Sequence, residues 1–173
     1  IDYSGNIYVA DTGNSRVVIL DKVGKYVNMF GEGGSKDGQL SGPSGIWVND
    51  DGNIIVADTG NHRVEVFSSQ GIFISKFGVE GKGVGQFSRP TSVSVDSKKQ
   101  IYVADSGNCR ILSFSEDGIQ VNDYGKRGKL DRDFDTIRDI FFDARRNRIY
   151  VSDLGFHSFK VIELNAQELL SFF

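Results

Sequence analysis

The stretch IIVADTGNHRV, residues 54–64, is one of four versions of a single string in this chain. The others are IYVADTGNSRV from Ile7, IYVADSGNCRI from Ile101 and IYVSDLGFHSF from Ile149, so the steps are 47, 47 and 48 residues. Phe30-Gly31, Phe77-Gly78 and Tyr124-Gly125 keep the same step. So do the GQL at 38–40 and the GQF at 85–87, and Pro43 with Pro90. Several marker groups in one register mean that the chain repeats one supersecondary unit.

Each unit holds four short apolar runs; in the second they are 44–48, 54–57, 64–67 and 73–77. The turn between the first two, DDGN at 50–53, contains Asp-Gly and Gly-Asn, which tolerate positive φ. SSQG at 68–71 makes the next turn, and a longer loop at 78–89 leads to the following repeat. No stretch keeps a helical period. Four antiparallel strands per unit with a period in the forties define a propeller blade. The expected fold is all-β, a β-propeller of four-stranded antiparallel blades, with about 3.75 blades present as part of a larger ring. The divisions are a partial blade at 1–36, blades at 37–83 and 84–130, and an atypical last blade at 131–173. The first blade lacks its inner strand, because Ile1-Asp2 aligns with Val48-Asn49. Missing blades or another chain are expected to complete the ring. The apolar tail from Leu164, with Leu169, Leu170, Phe172 and Phe173, reads as a cap or an edge for a neighbour.

Strand alternation places the interblade loops and the Asp-Thr-Gly-Asn loops on one face, here called the top. The Asp-Gly and SSQG turns share the bottom. Inner strands start at the top, so Ser44, Thr91 and Arg138 are expected near the mouth of the central channel.

The segments GQLSGPSGIWVNDDGNIIVADTGNHRVEVFSSQGIFISKFG (38–78) and GQFSRPTSVSVDSKKQIYVADSGNCRILSFSEDG (85–118) resemble NHL repeats. The resemblance extends over the chain and weakens in the fourth repeat. There Phe156 stands for Asn, Ser158 for Arg, Ala166 for the turn Gly and Phe173 for the last Gly. It implies a propeller, usually six-bladed, of the kind found in tripartite-motif ubiquitin ligases, RNA-binding growth regulators, a bacterial kinase sensor and a peptide-amidating lyase.

Residues shared by every blade are most simply explained by the blade. Asp11, Asp58, Asp105 and Asp153 recur, as do Arg16, Arg63 and Arg110. An Asp five residues before an Arg across one tight loop reads as a local pair that fixes the loop. Ser15, His62, Cys109 and His157 share one position, which reads as structural or solvated. Two His residues two blades apart supply no metal set, and 49–52 (NDDG) is a hairpin lacking the ligands of a calcium loop. The Gly-rich stretches at 31–34 and 78–85 lack a following Gly-Lys-Ser/Thr, so no phosphate cradle is expected. Trp47, Phe141, Phe142 and Tyr150 read as packing between blades, with the channel end as the alternative.

Function is expected where the repeats differ. The loop KRGKLDR at 126–132 carries Lys126, Arg127, Lys129 and Arg132, with Arg138 beside it; Lys82, Arg89 and His62 extend the set on the top face. These are the candidate partner-binding residues, for a protein or peptide or for single-stranded or hairpin RNA. A net charge of −3 gives no global pull toward nucleic acid, so any such surface is local. A second basic run, 144–148, falls on the bottom. The lone Cys109 excludes an intrachain disulfide. No apolar run reaches transmembrane length, so no membrane insertion is expected. The chain opens in mid-pattern, and a cytoplasmic location is favoured. The reading is a non-catalytic recognition scaffold within a larger protein, with no catalytic residue, cofactor or metal. The alternatives are an extracellular or periplasmic sensor domain and a propeller lyase or hydrolase.

Overall fold

Asn49 closes the first hairpin of the second repeat with its own side chain. Its Oδ1 accepts the backbone N–H groups of Asp51 and Asn53 at 3.1 and 2.8 Å. Asp2, Asp96 and Asp143 hold the same repeat position and accept backbone N–H groups in the same way. A short polar side chain that offers the backbone a partner turns the strand back on itself. The Asp-Thr-Gly-Asn string makes the opposite turn. It forms one 3-10 turn, and the residue after it, Ser15, His62 or Cys109, is left-handed at φ 54°, 56° and 56°.

The computed structural model describes residues 1–164. Among them, the strands form four antiparallel sheets and one two-stranded parallel pair. The first sheet is β1 (Ile7–Asp11), β2 (Arg16–Leu20) and β3 (Tyr26–Phe30). The second is β4 (Ile46–Val48), β5 (Ile54–Asp58), β6 (Arg63–Phe67) and β7 (Phe73–Phe77). The parallel pair is β8 (Val79–Glu80) with β9 (Gln86–Phe87). The third sheet is β10 (Pro90–Val95), β11 (Ile101–Asp105), β12 (Arg110–Phe114) and β13 (Gln120–Tyr124). The fourth is β14 (Ile137–Asp143), β15 (Arg148–Asp153) and β16 (Ser158–Glu163). Each sheet is a meander in chain order with antiparallel neighbours, as in a propeller blade. The tail residues Ala166, Leu169, Leu170, Phe172 and Phe173 lie outside the described residues.

Two details depart from the sequence reading. The inner strand β4 is shorter than 44–48, although Ser44 N–H and Gly45 C=O still bond to Ala57. Gly45 marks a close approach: a Cβ there would lie 2.6 Å from Ser92 Cα, so the second and third inner strands meet backbone to backbone. The interblade loops are also more regular than a loop. Each folds on itself through a parallel bridge, Gly33 with Leu40, β8 with β9, and Arg127 with Phe134.

The core consists of apolar layers between successive sheets. Val17, Ile19 and Phe30 meet Leu40, Ile54, Val56 and Phe67 between the first and second. Ile55, Val64 and Val66 meet Val93, Val103 and Leu112 between the second and third. Tyr102 and Ile111 meet Ile140, Ile149 and Val151 between the third and fourth. The middle strands of the second and third sheets are thus covered on both faces, and every residue of β5, β6 and β11 is buried.

Candidate functional site

The top of the molecule is built on the shared Asp and Arg. Asp58 is fully buried and accepts from Ser41 N–H, Asn61 Nδ2 and Arg63 Nε at 2.6, 2.7 and 2.9 Å. Arg63 then reaches the interblade loop, donating to the carbonyls of Ser35, Lys36 and Gln39 at 2.7, 2.9 and 2.7 Å. Asp105 and Arg110 repeat this on the third blade, with Arg110 donating to Gly83 and Gln86 carbonyls. Burial raises the Asp105 carboxyl above its ordinary value, against the pull of these bonds. On the first blade Asp11 pairs with Arg16 at 2.8 Å, more exposed, and its carboxyl is lowered by that bond and by Asn14. Asp153 caps the fourth loop by accepting from Asp135 and Thr136 N–H.

The fourth blade has Ser158 where the others have Arg. Lys160, two residues along β16, takes over. Its Nζ donates to the Asp133 carbonyl and sits 5.2 and 5.0 Å from the Phe134 and Phe156 ring centres. Asp133 corresponds by repeat to Gln39 and Gln86, whose carbonyls the arginines hold. The second blade adds Glu65, fully buried, with an oxygen 2.8 Å from Arg63 Nη2. Neither Glu65 oxygen makes an aligned hydrogen bond. Burial pushes its carboxyl up to about 7, with Arg63 opposing and Asp58 adding to the rise.

The left-handed position seals each blade to the next. His62 Nδ1 accepts from Arg89 N–H at 3.1 Å, and Cys109 Sγ donates to the Asp135 carbonyl at 2.8 Å. Cys109 is fully buried, and burial pushes its thiol up, away from the thiolate. Ser44 and Thr91, expected at the channel mouth, also bond across blades. Ser44 Oγ lies 2.6 Å from Thr59 Oγ1 and donates to the Thr91 carbonyl. Thr91 Oγ1 lies 2.5 Å from Ser106 Oγ, and both hydroxyls donate to the Ile137 carbonyl.

Of the candidate partner-binding residues, Lys126, Arg127, Lys129, Arg132, Arg138, Lys82 and Arg89 are exposed. Arg127 lies 3.4 Å from Asp135. The backbone beneath is held by Asp133, which is buried and accepts from Leu130 N–H. His62 differs: its side chain is engaged with the neighbouring loop and lies 3.9 Å from Glu80. The bottom run is paired locally, Arg146 with Asp143 at 2.9 Å and Arg148 with Glu163 at 2.5 Å.

The structure adds a feature that the sequence reading did not assemble. A cavity of about 500 Å³ opens at the bottom end of the inner strands. Trp47 of β4 and Phe141 of β14 line it, with ring centres 6.0 Å apart and planes at 48°. Trp47 also packs on the core between the second and third sheets. Asp2, Asp50, Asp51, Asp96 and Asp143 surround it with Lys99 and Arg145. No group of three or more His, Cys, Asp or Glu among the described residues could hold a metal ion.

Residues 35–123, just over half of the chain, match the DUF5128 family, a 6-bladed beta-propeller. No curated protein matches the sequence. Solved propellers resemble the fold over nearly all of the chain. A catalytically inactive virginiamycin B lyase from Staphylococcus aureus, solved with quinupristin, aligns at TM-score 0.74 and 14% identity, over 99% of this chain and 53% of that one. A streptogramin B lyase aligns at 0.72 and 15%, over 99% and 52%. A chain of a nidogen/laminin complex aligns at 0.71 and 14%, over 96% and 58%. The chain thus spans about half the length of the structures it matches. The likeness is one of fold, and it corrects one expectation. Because lyases share this architecture, the exclusion of catalysis drawn from the sequence does not stand.

Proposed function

From the premise that the chain belongs to the DUF5128 family of 6-bladed beta-propellers, we propose that it forms part of a six-bladed ring of NHL-type repeats. On this reading it recognises an acidic protein or peptide with its top-face loops. One observation carries it. The loop at 126–132 presents Lys126, Arg127, Lys129 and Arg132 on a backbone fixed by Asp133 and Lys160. Variable side chains on a rigid frame are how scaffolds place binding specificity. Arg138 extends the surface toward the channel, and Lys82 and Arg89 continue it along the preceding loop.

Protein is preferred to RNA because the cations alternate with Asp131, Asp135 and Glu80, and the chain is acidic overall. An interleaved surface suits carboxylates presented singly better than a continuous phosphate backbone. The test is binding of a fluorescent oligoglutamate peptide and of a single-stranded RNA, each over a range of salt. Replacing Lys126, Arg127, Lys129 and Arg132 together by Ala is expected to abolish peptide binding while melting stays unchanged. RNA binding that falls steeply with salt and is lost in the same variant would replace the peptide reading.

A further inference from the structure

We propose that the cavity at the bottom end of the inner strands is a second binding site, for an organic cation with an apolar stem. An alkylammonium of the kind carried by a lysine side chain or an aliphatic diamine fits it. The site is distinct from the top-face loops and does not depend on them.

The aromatic wall comes first. Trp47, Ser94 and Phe141 share one repeat position on three successive inner strands. Ser94 is fully buried, and its Oγ accepts the Phe142 N–H at 3.0 Å, so at this position the middle blade contributes no ring to the opening. The flanking blades contribute an indole and a phenyl ring, 6.0 Å apart and inclined at 48°, which form an open wedge. Phe141 is 54% exposed although it lies on an inner strand. Val48, Val95 and Phe142 line the same cavity.

The charge around the wedge selects the ligand. Five carboxylates, Asp2, Asp50, Asp51, Asp96 and Asp143, face two side-chain cations, Lys99 and Arg145. Lys99 lies 2.7 Å from Asp51 and 3.4 Å from Glu116, so Lys99 and Asp51 offset each other and the remaining carboxylates set the sign of the rim. Asp96 and Asp143 each use one oxygen to close the hairpin turn. The second oxygen of Asp143 is offset by Arg146 at 2.9 Å, while Asp96 makes no ion pair among the described residues and keeps its charge where the turn holds it. An acidic rim around exposed aromatic faces attracts a cation twice, through the carboxylates and through the ring quadrupoles. An apolar stem on the ammonium would cover the wedge, and an anion would meet like charge.

Trp47 is the only tryptophan in the chain, so its fluorescence reports on this cavity alone. The experiment titrates the 173-residue chain with 1,5-diaminopentane, with an N-acetyl-lysine amide peptide, and with 1,5-pentanediol and glucose as neutral controls. Saturable change of Trp47 emission by the amines and not by the controls is expected. Tighter binding of the peptide would identify a peptide as the source of the cation, and tighter binding of the diamine a free amine.

Two variants separate charge from shape. Asp96→Asn with Asp143→Asn keeps the turns, because Asn49 already closes one. It is expected to weaken amine binding about tenfold, as is Phe141→Ser, which installs the residue found at position 94. The fourfold alanine variant of the top loop is expected to leave the response unchanged, so failure of either proposal is visible separately. No emission change with either amine would overturn the proposal. So would an equal response to the diol or glucose, or unaltered amine affinity in both variants with melting preserved.

Discussion

The second blade holds its incoming loop with Arg63, whose guanidinium bonds the carbonyls of Ser35, Lys36 and Gln39 and is oriented by buried Asp58. The fourth blade has Ser158 there and holds its loop with Lys160, braced against Phe134 and Phe156. The third lies between: Arg110 keeps the clasp but turns Nη1 outward to Asp123, while Leu112 stands where the second blade buries Glu65. The requirement common to all three is that the loop's carbonyls be satisfied beneath the top surface. The cation that satisfies them is exchangeable, and its surroundings set how much each blade depends on it.

The comparison breaks most readily at Arg63. Arg63→Ala leaves buried Asp58 without its cation and three carbonyls without a donor, and is expected to cost about 3–5 kcal/mol in a denaturant titration. Loss below about 1 kcal/mol would show that the clasp contributes little. Glu65 sharpens the contrast between the second and third blades through pH. Its folded value of about 7 lies above the ordinary 4.5. The associated stability is therefore fully present below about pH 4.5 and is lost as pH rises through 7. The stability of the wild type relative to Glu65→Gln is expected to fall by about 2–3 kcal/mol from pH 4.5 to 8. A constant difference across that window would refute the assignment.

Lys160→Ala removes one charged hydrogen bond and two cation–aromatic contacts, for an expected loss of about 1–2 kcal/mol. Adding Ser158→Arg to it is expected to restore part of that loss in thermal melting, because the repeat's own solution is reinstalled. The smallest effect belongs to the exposed cations of the top loop. Replacing Lys126 and Lys129 by Ala is expected to change stability by less than about 0.5 kcal/mol. A larger change would move them from the proposed binding surface into the frame.

The repeat made the propeller readable, because strand order and turn chemistry follow from strings recurring at a fixed step. Glu65 was not readable for a physical reason. In RVEVF, alternation places Arg63 and Glu65 on one face, which in a half-exposed sheet would be solvent. A middle strand of a propeller is covered on both faces, so that inference fails and the carboxylate is buried. Lys160 was hidden because the compensating residue is two positions from the gap at Ser158. The cavity was hidden because it joins Trp47 and Phe141 across two blades, a proximity set by the curvature of the array. The signal available was the unequal series Trp47, Ser94, Phe141 at one repeat position. The exclusion of catalysis failed differently: the residues read at the strand starts describe one end of one stretch of a fold that also houses lyases.

Each clasp reaches backward along the chain. Arg63 bonds Lys36, Arg110 bonds Gly83 and Lys160 bonds Asp133, every one across 27 residues. During synthesis a newly emerged loop therefore waits for the following blade before its carbonyls are satisfied. At ordinary elongation rates that delay is about 1–5 s. Assembly is accordingly vectorial: each blade is locked by its successor, and a ribosome stalled between the two exposes a loop closed by its own parallel bridge but not yet clasped from beneath.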